Sequence, residues 1–332
     1  MESVPESYIQ PIEKRPNTII SPLCDSIPII DLHSLPSNRS NLIDQIIKAS
    51  QDYGFFHLIN HGISSELMKD MPSLAEEFFA LPPEDKTRFY SSDDPNQTCI
   101  LKQSVDYAKE KVHFWRENFR HSCYPLQNYI EDWPTNPPRY KEVVGNYAVQ
   151  VRETSILILD LICEGLGLEN NGYLKEGFSQ QQLITLNHYP KCPDPTLVLG
   201  LPKHCDPHVI TLLNQGDVPG LEVYKDQEWF SVKPIPNAFV VNIGYTLEII
   251  SNGKLKSGVH RVVTNPDKAR TTIVNFILPS TDSHIEPAKE LVERSKSPPA
   301  FKGVILRDFF TTYAIDLHEG TDPLQRYIFG SP

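Results

Sequence analysis

The pattern of hydrophobic and polar positions predicts an N-terminal part in which strands and helices alternate. An apolar, β-branched run at residues 27–32 predicts a short strand, and residues 54–62 predict a second strand closed by a turn glycine. Apolar positions at helical spacing predict one helix over residues 42–53 and another over residues 65–79. The N-terminal part therefore contains both types of element before the main β-rich region begins.

The longest predicted helix covers residues 141–166, where apolar side chains recur at spacings near three, four and seven, and glycines end it. From residue 182 to residue 278 the pattern changes to short β-rich runs separated by Pro, Gly, Asn and Asp. The candidate strands are residues 183–189, 209–213, 221–224, 228–232, 239–243, 258–264 and 271–278. So many short strands favour a sandwich or jelly roll, mainly β with flanking helices, over a doubly wound sheet.

Composition narrows the class of function. The 332 residues carry 31 basic and 42 acidic side chains, a net charge of −11, without the basic clusters that a nucleic acid would require. The 29 Pro against 16 Gly argue against a helical bundle, because Pro breaks helix interiors. No apolar run reaches the roughly 20 residues that span a membrane, and the polar start lacks signal-peptide features. We therefore expect a cytoplasmic protein that binds neither nucleic acid nor membrane, with its six cysteines reduced.

The segment His204-Cys205-Asp206 is the first that indicates chemistry. If it is extended, His204 and Asp206 point to one face while Cys205 points away. A second imidazole would complete a set of two His and one carboxylate, which leaves coordination positions open on Fe(II). His260, in a strand-like run further along the chain, is the leading candidate, although His208 could extend the same strand face instead. Taken alone, most His-x-Asp triplets are incidental.

Two further pairs of residues suit the recognition of a carboxylate. Arg270 and Thr272 are two apart on a predicted strand, so a guanidinium fork and a hydroxyl would share a face. Asn187 and Tyr189 likewise place an amide and a phenol on one face. The alternative for each pair is an ordinary surface or packing role.

One ordered set of motifs resembles that of the plant 2-oxoglutarate- and Fe(II)-dependent dioxygenases: Asn187-x-Tyr189-Pro190, His204-x-Asp206, His260 and Arg270-x-Thr272. The resemblance covers nearly the whole chain, including residues 27–32 and 54–62 and the segment Trp115-Arg116-Glu117. Within the family, the chain is most similar to the downy-mildew-resistance-type salicylate hydroxylases and to hyoscyamine 6-hydroxylase. The segments that support this similarity are residues 121–125, 133–138 and 236–244.

The resemblance implies a double-stranded β-helix, a cupin-like jelly roll, as the core. It implies that Fe(II) is held by three ligands: His204, Asp206 and His260. The far carboxylate of 2-oxoglutarate is expected to meet a polar set: Arg270, Thr272 and Tyr189, with Asn187 close by. Four regions follow: 1–135, an N-terminal region that packs on the core; 136–180, a scaffold helix; 181–285, the jelly-roll core; and 286–332, a segment that covers the active site.

The activity implied is hydroxylation of a small specialised metabolite, such as a phenolic, flavonoid, coumarin or alkaloid. The reaction would use Fe(II), O2 and 2-oxoglutarate, with ascorbate as reductant, and would release succinate and CO2. The alternatives are desaturation or ring closure on the same fold, an Fe(II) oxidase that does without 2-oxoglutarate, and a non-catalytic protein that binds small molecules. The enzyme is expected to be a monomer.

Candidates for the substrate pocket come from positions that match substrate contacts in the family. They are Phe276, Leu278, Leu101, Lys102, Val105, His208, Arg120, Phe309 and Phe310. Because few charges converge there, we expect a small, largely apolar ligand with one or two polar anchors.

Three positions depart from the family pattern. Thr272 stands where most relatives have Ser, and Cys205 replaces the usual Thr or Tyr between the ligands. Gly244-Tyr245-Thr246 replaces the common Gly-Asp-Gln, a variation closer to the hyoscyamine hydroxylase. A substrate therefore cannot be carried over from either group of relatives.

Overall fold

The computed structural model describes residues 3–16, 21–24, 26–90, 94, 97–105, 110–168 and 172–330. Within these ranges the α-helices are α1 (Arg39–Asp52), α2 (Ser65–Ala80), α3 (Pro83–Lys86), α4 (Tyr140–Gly165), α5 (Tyr173–Phe178), α6 (Tyr245–Ile250), α7 (Lys289–Ser295) and α8 (Leu306–Glu319). The strands are β1 (Ile29–Asp31), β2 (Phe55–Ile59), β3 (Cys99–Gln103), β4 (Glu117–Tyr124), β5 (Gln181–Tyr189), β6 (Leu201–His204), β7 (Ile210–Asn214), β8 (Leu221–Lys225), β9 (Glu228–Ser231), β10 (Phe239–Ile243), β11 (His260–Val262), β12 (Arg270–Leu278), β13 (His284–Ile285) and β14 (Val304–Ile305).

Two sheets form the jelly-roll core. The larger has the strand order β1-β2-β10-β7-β12-β5-β4-β3, and the smaller has the order β6-β11-β8-β9. Leu213 and Val274 of the larger sheet belong to the same buried cluster as Leu221 and Val223 of the smaller one. The two sheets therefore pack face to face, as the run of short strands predicts.

The larger sheet has two faces that differ in what they contact. Ile273 and Ile277 of β12 belong to the main hydrophobic core, which also contains the buried residues of α2 and α4. Val274 and Phe276 alternate with them and belong to the cluster between the sheets. We call this second face the inner face. It carries the side chains of the candidate site.

Helices α1 and α4 approach each other closely at the end of α4. A Cβ atom on Gly165 would lie 2.4 Å from Cγ1 of Ile47, so only glycine permits this contact. Along α4, Val144, Tyr147 and Val151 are fully buried at the spacing that the sequence predicts. The helix thus serves as a structural support for the sheet, as expected.

The N-terminal strands are part of the larger sheet. Strand β2 pairs in parallel with β1 and antiparallel with β10. Gly54 precedes β2 with a φ of 69°, and a Cβ atom there would lie 2.5 Å from the carbonyl oxygen of Lys256. The turn therefore requires glycine on both counts.

Five strands were not predicted from the sequence: β3, β4, β6 and the short pair of β13 and β14. Strand β4 alternates buried and accessible side chains, but polar residues occupy much of it, among them Asn118, Arg120 and Ser122. Its hydrophobic pattern is therefore weak. The strand predicted at residues 258–264 is shorter, because only His260–Val262 pairs with its neighbours.

The division into four regions stays a prediction. Strands of the predicted N-terminal region and of the predicted core belong to one sheet.

None of the helices in the described ranges is long and apolar enough to cross a membrane.

Candidate active site

The three side chains of the predicted metal set meet at the paired ends of two strands. His204 ends β6, His260 begins β11, and the two residues lie opposite each other in the ladder. Their Nε2 atoms lie 3.7 and 3.8 Å from Oδ1 of Asp206. One ligand atom from each residue lies within 4.8 Å of the others. Asp206 reaches this point from the irregular segment after β6, which corrects the expectation of one continuous extended run.

Both imidazoles are held by backbone carbonyls. Nδ1 of His204 lies 2.8 Å from the carbonyl oxygen of Pro202, and Nδ1 of His260 lies 3.0 Å from that of Gly258. Since a carbonyl only accepts, each Nδ1 must carry the hydrogen, which leaves the lone pair on Nε2. Burial, with the neighbouring His260, also lowers the pKa of His204 to about 3. The imidazole of His204 is therefore neutral and able to bind a metal at ordinary pH.

The carboxylate of Asp206 is oriented by two neighbours on the larger sheet. Thr211 donates a hydrogen bond of 2.6 Å to Oδ2, and the amide of Asn242 donates one of 3.3 Å to the same atom. Oδ1 is the oxygen that faces the two histidines. Burial raises the pKa of Asp206, but His260, His204 and the hydrogen bond from Thr211 outweigh that effect and lower it. The ionised carboxylate thus presents one oxygen to the cluster.

Cys205 lies between the two ligands and is buried. Its carbonyl oxygen accepts a hydrogen bond of 2.9 Å from the phenol of Tyr313 on α8. Burial raises the pKa of the thiol to about 12, so it stays protonated. Among the described residues, the metal-ligating group consists of His204, Asp206 and His260 without Cys205.

A second polar group lies on the inner face of β5 and β12. Arg270 pairs with Tyr189 in the ladder, and Thr272 pairs with Asn187. Nε of Arg270 donates to the carbonyl oxygen of Val218 at 3.0 Å, whereas its Nη2 is buried without a hydrogen-bond partner among the described residues. The amide of Asn187 donates to the hydroxyl of Thr272 at 3.4 Å. The four predicted residues therefore lie together around an unsatisfied guanidinium nitrogen.

The comparisons with known proteins decide the family. Residues 180–279 match the 2OG-Fe(II) oxygenase superfamily, and residues 27–139 match the family described as non-haem dioxygenase in morphine synthesis N-terminal. Protein DOWNY MILDEW RESISTANCE 6 of Arabidopsis thaliana is 41% identical over 94% of this chain and 91% of its own length. The chain belongs to the 2OG-Fe(II) oxygenase superfamily. This oxygenase is accordingly an oxidoreductase of the dioxygenase type.

Other relatives agree with this assignment. Hyoscyamine 6-dioxygenase of Hyoscyamus niger is 40% identical over 95% of this oxygenase and 93% of its own length. The protein in the crystal structure of JOX2 in complex with 2OG, Fe, and JA is 31% identical in sequence to this oxygenase. It matches 99% of this chain and 94% of that chain with a TM-score of 0.86. The jelly-roll fold predicted from the sequence is thereby confirmed.

The residues of this oxygenase fit the iron of its family. Two imidazole nitrogens and one carboxylate oxygen form the donor set that holds non-haem Fe(II) and leaves positions open. The three atoms are already directed at one another by the contacts of Pro202, Gly258 and Thr211. The unsatisfied Nη2 of Arg270 likewise fits the far carboxylate of 2-oxoglutarate.

Three polar residues that contact the candidate site were not predicted from the sequence. Arg116 donates to Oδ1 of Asn187 at 3.2 Å, while Thr211 and Asn242 bind Asp206. The last two are polar residues within otherwise apolar strand runs, which was the available signal. Arg116 was noted only as part of a family segment, because the strand that begins after it was not recognised.

Some of the predicted pocket residues do lie together, around Phe276 of the inner face. The ring of His208 lies 4.1 Å from that of Phe276 and 5.8 Å from that of Phe310, measured between centroids. All three side chains are half-buried, so they keep an open surface. Leu278 follows Phe276 on the same face of β12 but is buried.

Two of the pocket predictions are wrong. Leu101 lies opposite Phe119 and belongs to the helix-packed core, because strand alternation turns it away from the inner face. Phe309 is also buried in that core, where its ring lies 6.1 Å from Tyr245 and 6.3 Å from Tyr313. The next residue along the helix, Phe310, faces the site instead.

The remaining pocket candidates lie on or near β3 and β4. Lys102 lies opposite Asn118 on the inner face and is half-buried. The backbone amide of Val105 donates to Oε1 of Glu110 at 2.9 Å. Arg120, also on the inner face, is exposed. Their contact with a substrate stays a prediction.

Proposed function

We propose that this oxygenase hydroxylates a small specialised metabolite with Fe(II), O2 and 2-oxoglutarate, and releases succinate and CO2. The observation that carries the proposal is that two polar sites adjoin the inner face, one through the bond of Thr211 to Asp206 and the other at Arg270 on β12. The first is the cluster of His204, Asp206 and His260, and the second is the buried, unsatisfied guanidinium nitrogen of Arg270. One site suits a metal, and the other suits the carboxylate of its co-substrate.

The roles proposed for the ligands follow from the atoms that remain available. Nε2 of His204, Oδ1 of Asp206 and Nε2 of His260 would hold the metal. Bound Fe(II) supplies the redox chemistry that joins decarboxylation of 2-oxoglutarate to oxidation of the substrate. The hydrogen bonds of Thr211 and Asn242 would keep the carboxylate aligned throughout.

The co-substrate is proposed to lie between the metal and β12. Arg270 would bind its far carboxylate with the free Nη2, and the hydroxyl of Thr272 would add a donor. Tyr189 and Asn187 complete the proposed carboxylate site, since Tyr189 lies directly across the ladder from Arg270 and Asn187 from Thr272. Thr in place of Ser keeps the donor, so binding should survive that departure.

The substrate is proposed to bind against the half-buried rings of Phe276, His208 and Phe310. Apolar ring surfaces exclude water and position a flat molecule without forming strong bonds to it. Named relatives act on an alkaloid or a flavonoid skeleton, as hyoscyamine 6-dioxygenase and flavanone 3-dioxygenase 2 indicate by name. A ligand of that general size is proposed here.

Ascorbate as the reductant, a monomeric state, a cytoplasmic location and the absence of nucleic-acid or membrane partners stay predictions. Desaturation or ring closure is the second candidate activity, because the same ligand set and co-substrate would serve it. The products distinguish the two reactions by mass: hydroxylation adds an oxygen atom, whereas desaturation removes a pair of hydrogen atoms.

The first experiment is an anaerobic titration of the protein with Fe(II) and 2-oxoglutarate, followed by visible absorption. A charge-transfer band that requires both additions is expected, and Asp206→Ala is expected to lack it. A screen of phenolics, flavonoids, coumarins and alkaloids by mass spectrometry should then give succinate and a modified product together. Absence of both the band and succinate would leave a non-catalytic binding protein, and turnover without 2-oxoglutarate would indicate an oxidase.

A further inference from the structure

We infer that Arg116 is a positioning residue for the co-substrate: acting through Asn187, it makes the hydroxyl of Thr272 a hydrogen-bond donor to the far carboxylate of 2-oxoglutarate. The inference rests on the proposed function, because it concerns how the proposed carboxylate site works. It extends that proposal by adding a residue that acts through another and by assigning a direction to each hydrogen bond of the group.

Strand register places Arg116 beside the proposed carboxylate site. Asn118 of β4 lies opposite Asn187 of β5, and Asn187 lies opposite Thr272 of β12. Arg116 precedes β4 by one residue, so the same register continued puts it opposite Tyr189. Because alternate residues of a strand share a face, Arg116 points to the inner face together with these other polar side chains.

The guanidinium of Arg116 is anchored by the backbone of Ser104. Nε of Arg116 donates to the carbonyl oxygen of Ser104 at 3.3 Å, and the backbone amide of Ser104 donates to the carbonyl oxygen of Arg116 at 2.9 Å. Ser104 is fully buried with a φ of 61°, which few non-glycine residues adopt, and its hydroxyl accepts a bond of 2.6 Å from the backbone amide of Phe114. The anchored guanidinium directs Nη1 to Oδ1 of Asn187, 3.2 Å away.

The bond between Arg116 and Asn187 decides how the amide group of Asn187 is turned. A guanidinium can only donate, so the amide oxygen must face Arg116 and the amide nitrogen must face the other way. That nitrogen lies 3.4 Å from the hydroxyl oxygen of Thr272 and donates to it. The hydroxyl of Thr272 thus accepts from Asn187, which leaves its own hydrogen for a different acceptor.

This direction matters because a carboxylate can only accept hydrogen bonds. If the amide of Asn187 were turned over, its oxygen would take the hydroxyl hydrogen of Thr272, and the hydroxyl would present lone pairs to the carboxylate. With the amide held by Arg116, the hydroxyl donates to the carboxylate, as does the unsatisfied Nη2 of Arg270. The far carboxylate of the co-substrate then meets donors only.

Arg116 also brings a second positive charge to the site. Burial lowers the pKa of Arg116 and of Arg270, and the phenol of Tyr189 acts in the opposite direction on both. Tyr189 therefore lies close to both guanidiniums. A positive charge near a carboxylate strengthens its binding even without a hydrogen bond. The experiment must accordingly separate direct attraction by Arg116 from its action through Thr272.

The test is a double-mutant cycle on the affinity for 2-oxoglutarate, measured by calorimetry with protein saturated with Mn(II). Arg116→Met should weaken binding by at least roughly tenfold, because the donor from Thr272 to a charged group is lost. In a Thr272→Val background the hydroxyl is absent, so the loss caused by Arg116→Met should be at least roughly fivefold smaller. Equal losses in the two backgrounds would mean direct attraction and would overturn the inference.

The analogue 2-oxopentanoate separates the proposed role from general damage to the site. It keeps the 2-oxo acid end of 2-oxoglutarate but has no far carboxylate, so Arg116→Met should change its affinity by less than about twofold. Equal weakening of both compounds would show that Arg116 only supports the local structure, which would also overturn the inference. The double-mutant cycle decides alone if 2-oxopentanoate binds too weakly to measure.

Arg152→Met is the matched control. It removes another half-buried guanidinium that donates to a backbone carbonyl, that of Ser179 at 2.8 Å, and it lies on α4, which packs on the opposite face of the larger sheet. Its affinity for 2-oxoglutarate should equal that of wild type.

Thermal unfolding establishes that each variant is folded. Arg116→Gln has a side chain too short to reach Asn187 and replaces Arg116→Met in the cycle if the latter does not fold. Wild-type affinity for 2-oxoglutarate in the folded Arg116 variant would overturn the inference. Failure of the wild-type protein itself to bind 2-oxoglutarate with Mn(II) is a separate result, which counts against the proposed function and removes the basis of the inference.

Discussion

Thr211 donates its hydroxyl hydrogen to Oδ2 of Asp206 at 2.6 Å, and this bond determines which carboxylate oxygen faces the histidines. Asn242, from the neighbouring strand, donates to the same atom. The metal cluster lies at the edge of the smaller sheet, yet the group that orients its carboxylate belongs to the larger one. Metal binding therefore depends on the correct packing of both sheets.

Replacement of that hydroxyl should weaken metal binding. Thr211→Val keeps the shape of the side chain but leaves Oδ2 with only the longer bond from Asn242. We expect a loss of about 10- to 100-fold in affinity for Mn(II), typical of a lost partner of a metal ligand. Titration followed by electron paramagnetic resonance measures it. Thr211→Ser keeps the donor and should bind Mn(II) like wild type; equal affinity in Thr211→Val would contradict the role.

Removal of any one metal ligand should abolish turnover. His204→Ala, Asp206→Ala and His260→Ala each leave two donors, too few to hold the metal in the geometry of this family. We expect no succinate above background in any of the three. Succinate is measured by mass spectrometry after incubation with Fe(II), 2-oxoglutarate and ascorbate. Substantial turnover in His260→Ala would mean that His208 is the second imidazole ligand.

The residues proposed to bind the far carboxylate of 2-oxoglutarate give a separate prediction. Arg270→Gln removes the unsatisfied guanidinium, so the affinity for 2-oxoglutarate should fall by at least roughly tenfold, since a charge-assisted pair is lost. Arg270→Lys keeps the positive charge but loses the two-pronged guanidinium. Its affinity for 2-oxoglutarate should therefore lie between those of wild type and Arg270→Gln. Calorimetry in the presence of Mn(II) measures both. Thr272→Ser should behave like wild type, and equal affinity of Arg270→Gln would show that another cation binds the carboxylate.

The C-terminal helix should support the metal loop through one phenol. Tyr313→Phe removes the hydrogen bond to the carbonyl oxygen of Cys205 and leaves that oxygen unsatisfied, at a cost of about 1–3 kcal/mol in the free energy of unfolding. Because this carbonyl lies between two ligands, the affinity for Mn(II) should fall as well. Tyr327→Phe is the matched control, since its hydroxyl contacts Thr312 within the C-terminal part. Equal effects of the two variants on Mn(II) affinity would refute the link.

Stability should fall as the pH decreases below neutrality. Burial lowers the pKa of His121 in the folded protein to about 4 from the ordinary 6.5. As the pH falls, the unfolded chain therefore binds this proton first, so stability present above pH 6.5 is lost progressively towards pH 4. The loss from this residue is at most about 3 kcal/mol. His57 has the same shift from burial and should add to the effect.

Urea unfolding of the metal-free protein between about pH 7 and pH 5 checks this dependence. His121→Gln cannot take up the proton, so its stability should depend less steeply on pH, although it starts lower because the contact with Tyr140 is altered. His284→Gln removes an exposed histidine and serves as control. Parallel curves for wild type and His121→Gln would contradict the prediction.

The grouping of the candidate metal and co-substrate residues could be predicted from the sequence because it depends on short spacings. Arg270 and Thr272 share a face wherever a strand contains both, so the two-residue interval alone predicts their meeting. The partner of His204 was harder to identify, since only the ladder that places it opposite His260 distinguishes that residue from His208. The resemblance to a family supplied that choice before the ladder was known.

The substrate recess was less predictable because it depends on strands with weak patterns. Leu101 and Lys102 are neighbours, and only the register with β4 determines which of them faces inward. The same register places Arg120 beside Thr185, a contact between residues far apart in the chain that no local pattern contains. On α8, Phe309 and Phe310 were both predicted to line the pocket, although adjacent residues of a helix point in different directions.

The pairing of β2 with β10 protects a strand that supports the metal cluster. Asn242, a donor to Asp206, lies on β10, whose opposite edge is covered by a strand made from residues 55–59. A chain that began after residue 60 would expose the buried backbone of β10 as an open edge, next to the metal ligands. Such edges recruit other strands and lead to aggregation. Residues 55–59 therefore protect the edge of β10 from pairing with other chains, as well as forming part of the larger sheet.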